Sequence, residues 1–283
     1  MPEVRSPTLR RRELGALLRA RRLDQGLTVE QVAAQLLCSP SKVSRMETGQ
    51  RGATQRDIRD LCDFYGINDP AERELLVTLA KEGKQQGWWQ TYELPHATFV
   101  GLEQEATSMK VYHSAVIPGL LQTGDYVRAL HDASTPDVDP GVIEQRIEER
   151  MRRQELLDRD QPPRIEVVLD EAALHRPIGG PAIMRRQLDR VLESVGRPSL
   201  DLQILPFEIG AHPALESDFI ILEFADQSLN VVFVEGLIGP VYLERAHDVQ
   251  RYLQVFERLR VMAASPQDSA DLIIKIRDTY VVG

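Results

Sequence analysis

Cysteine is scarce in this chain of 283 residues: Cys38 and Cys62 are its only two. Two are too few for a disulfide framework and lack the paired spacing of a zinc site, which predicts a reducing, cytoplasmic setting. Long apolar runs are missing as well. The most apolar stretches, Phe219 to Phe224 and Val231 to Val234, are strand-sized and fall far short of the roughly 18 residues that cross a bilayer. No apolar signal core is present near the start, because Arg10, Arg11, Arg12 and Glu13 stand where it would lie. Signature loops of common enzymes are absent too. Gly179-Gly180 lacks both the lysine of a phosphate loop and the spacing of a dinucleotide site, and no nucleophile elbow occurs. The histidines at 96, 113, 131, 175, 212 and 247 are scattered without metal-ligand spacing. The expectation is a protein with no cofactor, no metal and no membrane span. Internal repeats and low-complexity tracts are also absent.

What is present is an ordinary globular composition, 42% hydrophobic and 27% charged, at a length that favours two domains. The net charge of -9 is unevenly spread: residues 1–66 carry 12 Lys or Arg against 8 Asp or Glu, and the remainder 22 against 35. A basic module on an acidic body is suited to a polyanion, with the body repelled from it.

The basic part reads as short helices in quick succession. Leu14, Leu17 and Leu18 form one apolar stripe, and Gly26 ends that helix. Thr28 opens Thr-Val-Glu-Gln, a capping box closed by Gln31, before the stripe of Val32, Ala33 and Leu36. Three residues later Ser39-Pro40 supplies a cap and a first-turn proline for a third helix running to Thr48, stopped by Gly49. Thr54 caps a fourth helix with Ile58, Leu61, Cys62 and Tyr65 inward, ended by Gly66. Asp69-Pro70 opens a fifth, with Leu75, Leu76 and Leu79 inward. From about Gly83 the texture changes, and Gly87-Trp88-Trp89 reads as a connection docking on the next unit. Beyond it, helices are predicted at Pro140 to Asp160, Pro181 to Val195, Ala246 to Ala264 and Pro266 to Asp278. Strands are predicted at Arg164 to Leu169, Leu200 to Leu205, Ser217 to Phe224 and Asn230 to Glu235. The fold class is therefore α+β: an all-α domain over residues 1–83, then a mixed α+β domain over 84–283.

Two helices joined by a three-residue turn inside a basic helical domain are a helix-turn-helix. At 100° per residue, Val43 and Met46 of the third helix face Val32 and Leu36. The opposite face carries Ser41, Ser44, Arg45 and Thr48, with Lys42 on the flank. Hydroxyls and a guanidinium, with no carboxylate among them, are what base edges in a major groove require. Ser41, Ser44, Arg45 and Thr48 are thus the expected base contacts. Thr28, Ser39, Lys42 and Arg51, with Arg10, Arg11 and Arg12, are the expected phosphate contacts. The competing reading is a helical bundle whose charges merely face water.

The run Leu27 to Gly52 resembles the Cro and phage-repressor-like (xenobiotic-response-element) helix-turn-helix family, on Leu27, Thr28, Ala33, Ser39, Ser41, Val43, Ser44, Arg45, Glu47 and Gly49. It departs from that family at Leu37, where glycine is usual. Further on, Gly87-Trp88-Trp89, Val116 to Thr123, Val168 to Leu174, Leu205-Pro206-Phe207 and Gly210 to Pro213 resemble actinobacterial antitoxin-like regulators with a C-terminal domain of unknown function (DUF5753). The resemblance implies a transcriptional regulator of an operator in double-stranded DNA, often encoded beside a small partner protein. Reading an operator also favours a homodimer, since one helix-turn-helix covers only a half-site.

Other signals compete with this reading. Asp170, Glu171 and His175 follow a strand, as catalytic groups often do, but with no second cluster a helix cap and a surface histidine are the better explanation, and no enzyme is expected. Trp88 and Trp89 are candidates for a partner site or pocket, or for packing a connection onto a core. The segment Val116 to Leu121 is either core or a groove. A small-molecule sensor would need a pocket with converging polar groups, and a partner-binding domain an exposed apolar patch.

Overall fold

Polar caps punctuate the first unit of the computed structural model, which describes residues 6–92, 94, 96–134, 139–236 and 239–281. The chain divides into two units, Met1–Glu105 and Ala106–Gly283. In the first, α1 (Pro7–Asp24), α2 (Val29–Gln35), α3 (Pro40–Glu47), α4 (Gln55–Phe64) and α5 (Pro70–Glu82) follow one another through short turns. Thr28 and Gln31 form the expected capping box, Ser39 accepts the Lys42 amide with Pro40 in the first turn, and Thr54 caps α4. Gly26, Gly49 and Gly66 all end helices with positive φ. Leu14, Leu18, Val32, Ala33, Val43, Met46, Ile58 and Leu61 share one core with Leu76 and Leu79. Leu17 and Leu75, expected inward, are exposed instead, because each stripe is narrower than its leucines.

One departure from ideal geometry lies in the helix-turn-helix turn. Leu37 adopts φ 49°, the one non-glycine residue with positive φ among those described, and its side chain is 93% exposed. A leucine there is strained by its Cβ and gains nothing from burial.

The tryptophan segment docks backwards rather than onto the next unit. A 3₁₀ turn, Trp88–Thr91, and α6 (Ala97–Glu103) pack beside α1. Trp89 is buried against Gly87 and Gly101, whose missing Cβ atoms leave room for its ring. The Ser6 hydroxyl donates to the Gly101 carbonyl at 2.6 Å, and the Ser6 amide to Glu105. These contacts carry the first unit to Glu105, beyond the boundary at residue 83 expected from composition.

The second unit is built on a six-stranded sheet. Its strands are β1 (Ser108–His113), β2 (Arg164–Asp170), β3 (Leu200–Leu205), β4 (Phe219–Glu223), β5 (Val231–Gly236) and β6 (Gly239–Leu243). They lie in the order β3-β2-β1-β4-β5-β6, with β1, β2 and β3 parallel and the other neighbours antiparallel. The helices are α7 (Gly124–Ser134), α8 (Pro140–Gln154), α9 (Ala172–His175), α10 (Pro181–Val195), α11 (Ala246–Met262) and α12 (Pro266–Thr279). Val249, Phe256 and Leu259 of α11 cover one sheet face through Tyr112, Val168, Phe219, Ile221 and Val232. Alternation turns Val111, Val167, Leu169 and Ile204, all buried, to the other face, while α10 and α12 pack on β3. This is an α+β protein, as expected, with β1 and β6 as strands beyond those read from the sequence.

Leu37→Gly relieves a left-handed leucine, worth about 1–2 kcal/mol, and loosens the unfolded chain by roughly 0.5–1 kcal/mol. The net expectation is a gain of up to about 1.5 kcal/mol. Urea unfolding followed by tryptophan fluorescence checks it directly, since both tryptophans lie in the first unit.

Candidate nucleic-acid interface

Helix α3 has only eight residues, too few to hold itself, so its direction is set by what it is tied to. Its last residue, Glu47, is buried and takes two bonds from the Arg22 guanidinium of α1, at 2.7 and 2.8 Å. Arg22 also donates to the Leu27 carbonyl, fixing the start of the α2 turn. That fork holds the Arg22 pKa above its usual value, against the lowering effect of burial. Two glycines let the backbones meet. A Cβ on Gly15 would lie 2.5 Å from the Met46 carbonyl oxygen, and one on Gly49 would lie 2.8 Å from the Arg12 Cα. α1 and the C-terminal end of α3 are therefore in direct backbone contact.

With Val43 and Met46 buried, α3 presents Ser41, Ser44 and Arg45 to solvent. Thr48 is half-buried, and its hydroxyl donates back to the Ser44 carbonyl at 3.0 Å. Arg45 lies along the helix, with Nε donating to the Ser41 carbonyl. Arg51 is exposed in the following loop, which its amide anchors to the Arg45 carbonyl. The hydroxyls of Thr28 and Ser39 cap α2 and α3 at exposed positions.

Other expected phosphate contacts are placed differently. Arg10 and Arg12 are buried, and Arg10 pairs with Glu13 and Glu82. Arg11 is half-buried and donates to the Gly83 carbonyl, and burial lowers its pKa. The Arg10–Arg12 cluster thus ties α1 to α5 and to the loop after α3 rather than forming an outward basic patch. Lys42 is also engaged: its Nζ lies 2.6 Å from Asp57 Oδ1 in the first turn of α4. Burial alone would raise the Asp57 pKa, but Lys42 and the bonds from Thr54 bring it below the usual value. That pair sets the first turns of α3 and α4 side by side. Arg56 and Arg59 are exposed on α4, Arg56 within 3.7 Å of Asp60. The sequence reading passed over these two; their signal was the capped start of α4 immediately after the α3 loop.

Comparison with known families agrees with this geometry. A helix-turn-helix domain model matches residues 13–76, from within α1 to within α5. The model described as Domain of unknown function (DUF5753) matches residues 96–275, more than half of the chain. The chain belongs to the DUF5753 family. No curated protein and no solved structure matches it. The N-terminal helix-turn-helix gives this DUF5753 protein the architecture of a DNA-binding regulator. No helix among the described residues is long and apolar enough to cross a membrane.

Within the second unit, the residues weighed for chemistry lie close to one another after β2. Asp170 accepts the Ala172 amide at 2.8 Å in the turn that leads into α9. His175 is exposed, 3.1 Å from Glu171 and stacked on Phe207. The fold adds a grouping not seen in the sequence, at the C-terminal ends of β1 and β2. There His212 Nε2 lies 3.4 Å from the Tyr112 hydroxyl and 3.6 Å from Asp170, and burial pushes the Tyr112 pKa well up. Ile117, Leu120 and Leu121 are buried, which places that segment in the core. An open cleft of about 560 Å³ lies beside β3, walled by Pro162, Val195, Pro198 and Pro266 with Arg164 and Asp201.

Glu47→Ala leaves the Arg22 guanidinium buried without its carboxylate. Breaking a buried pair in this way costs about 3–5 kcal/mol, and the expected outcome is a first unit destabilised by that amount. Urea unfolding of the full chain, read by tryptophan fluorescence, measures it. A midpoint unchanged from wild type would show that α3 is held by other contacts.

Proposed function

We propose that this chain is a sequence-specific transcriptional regulator that reads double-stranded DNA through the major groove with α3. The observation that carries the reading is the outward face of α3. Ser41, Ser44 and Arg45 are exposed together, while Glu47, the helix's one carboxylate, is turned inward onto Arg22. Hydroxyls and a guanidinium match base-edge donors and acceptors, and arginine forks onto guanine. Thr48 stands at the edge of this face, its hydroxyl committed to α3's own backbone. Phosphates fall to Arg51, Arg56 and Arg59, aided by the capped helix starts at Thr28, Ser39 and Thr54.

The finer parts of the reading concern the DUF5753 unit. We infer a homodimer, because one recognition helix covers only a half-site and operators are read by two-fold pairs. An antitoxin-like role under control of a small partner protein follows from the resemblance in sequence. Exposed Phe207, Leu215 and Val241 on the second unit supply apolar surface for such contacts.

Selection from a pool of random duplexes with the full chain tests the proposal and is expected to yield a consensus. Against the selected duplex, Arg45→Ala is expected to cost about 1–3 kcal/mol and relax preference at one base pair. Arg51→Gln should weaken selected and random duplexes alike and reduce the log–log salt slope by about one. Absence of any enriched sequence, or Arg45→Ala binding as tightly as wild type at matched salt, would overturn the reading.

A further inference from the structure

The Lys42–Asp57 pair is made by two groups that a simple DNA-binding surface would not place together. Lys42 is one of two cations on α3, and it stands at the start of the helix, the end that enters the groove first. Asp57 puts a carboxylate at that same end, where phosphate would lie. The contact is close, 2.6 Å, and partly screened from water, with 21% of the lysine side chain and 11% of the aspartate exposed. Asp57 is not a mobile partner. Its Oδ2 accepts from both the Thr54 amide, at 2.9 Å, and the Thr54 hydroxyl, at 2.8 Å. The first turn of α4 thus holds the carboxylate on the lysine.

Affinity for DNA of any sequence comes from counterions released as free cations meet phosphates, about one unit of salt slope per contact. A cation already neutralised within the protein contributes little to that term. Base readout by Ser41, Ser44 and Arg45 is untouched by the pairing. We infer that Asp57 is an affinity-limiting residue: it keeps Lys42 off phosphate and so lowers the binding strength for DNA of any sequence, leaving base preference to Ser41, Ser44 and Arg45. The inference rests on the DNA-binding reading above, and its test separates the two.

The experiment measures fluorescence anisotropy of a labelled random-sequence duplex with the full chain across a salt series, for wild type, Asp57→Asn and Asp57→Asn/Lys42→Gln. Asp57→Ser serves as a second removal of the charge, and tryptophan fluorescence confirms that each variant is folded. Asp57→Asn is expected to tighten random-duplex binding roughly 3–10-fold near 0.1 M salt and to steepen the slope by about one. Adding Lys42→Gln should return both to the wild-type values. An unchanged slope in the folded Asp57 variants overturns the inference. So does a gain that survives Lys42→Gln, since the carboxylate would then act by its own repulsion. Wild type binding no duplex at any salt would instead bring down the DNA-binding reading itself.

Discussion

The buried fork from Arg22 to Glu47 fixes everything that the first unit offers to a partner. A two-turn helix in water is unstable alone, and its outward residues have no meaning until its axis is set. The pair sets that axis at the C-terminal end of α3, where the residue before Glu47 also meets Gly15 of α1 and where Gly49 settles on Arg12. It also removes the helix's one carboxylate from the solvent face. A single interaction thereby orients the recognition helix and keeps its exposed face free of negative charge. Burying two charges is costly unless both are fully bonded, and here the fork satisfies both carboxylate oxygens while a further guanidinium nitrogen binds Leu27.

The electrostatics of the first unit are local. With its boundary at Glu105 rather than residue 83, the unit carries 15 Lys or Arg and 15 Asp or Glu, while residues 106–283 carry 19 against 28. The basic excess over residues 1–66 is thus offset by the residues that follow. Glu72 and Glu82 in α5 hold Arg21 and Arg10. Long-range attraction to DNA is correspondingly modest, and affinity falls to exposed cations, Arg45 and Arg51 beside α3 and Arg56 and Arg59 on α4 among them.

Much of this was legible in the sequence, for reasons tied to particular residues. The helices of the first unit were marked by their caps at Thr28, Ser39, Thr54 and Asp69 and by stops at Gly26, Gly49 and Gly66, whose effects are local. Strand β2 was visible because Ile165, Val167, Val168 and Leu169 form a largely β-branched apolar run interrupted only by Glu166. Strand β1 was hidden by Lys110, a charge at the centre of a sheet. It is explained only by Glu166 and Glu223, 3.0 and 3.1 Å away from positions 56 and 113 residues further along. Strand β6, with Pro240 and exposed Val241, lacks the apolar pattern because it is an edge. At the interface, the outward face of α3 followed from helical periodicity alone. The inward turn of Arg10 and Arg12 and the Lys42–Asp57 pair did not. Each depends on how separate helices meet, which no local pattern encodes.

Dimethyl sulfate protection on the selected duplex tests the central claim most directly, because the reagent methylates guanine N7 in the major groove and adenine N3 in the minor groove. Major-groove reading by α3 predicts that the wild-type chain protects a short set of guanine N7 positions, and that Arg45→Ala restores methylation at one of them. Protection confined to adenine N3, or a guanine pattern identical in wild type and Arg45→Ala, would contradict it.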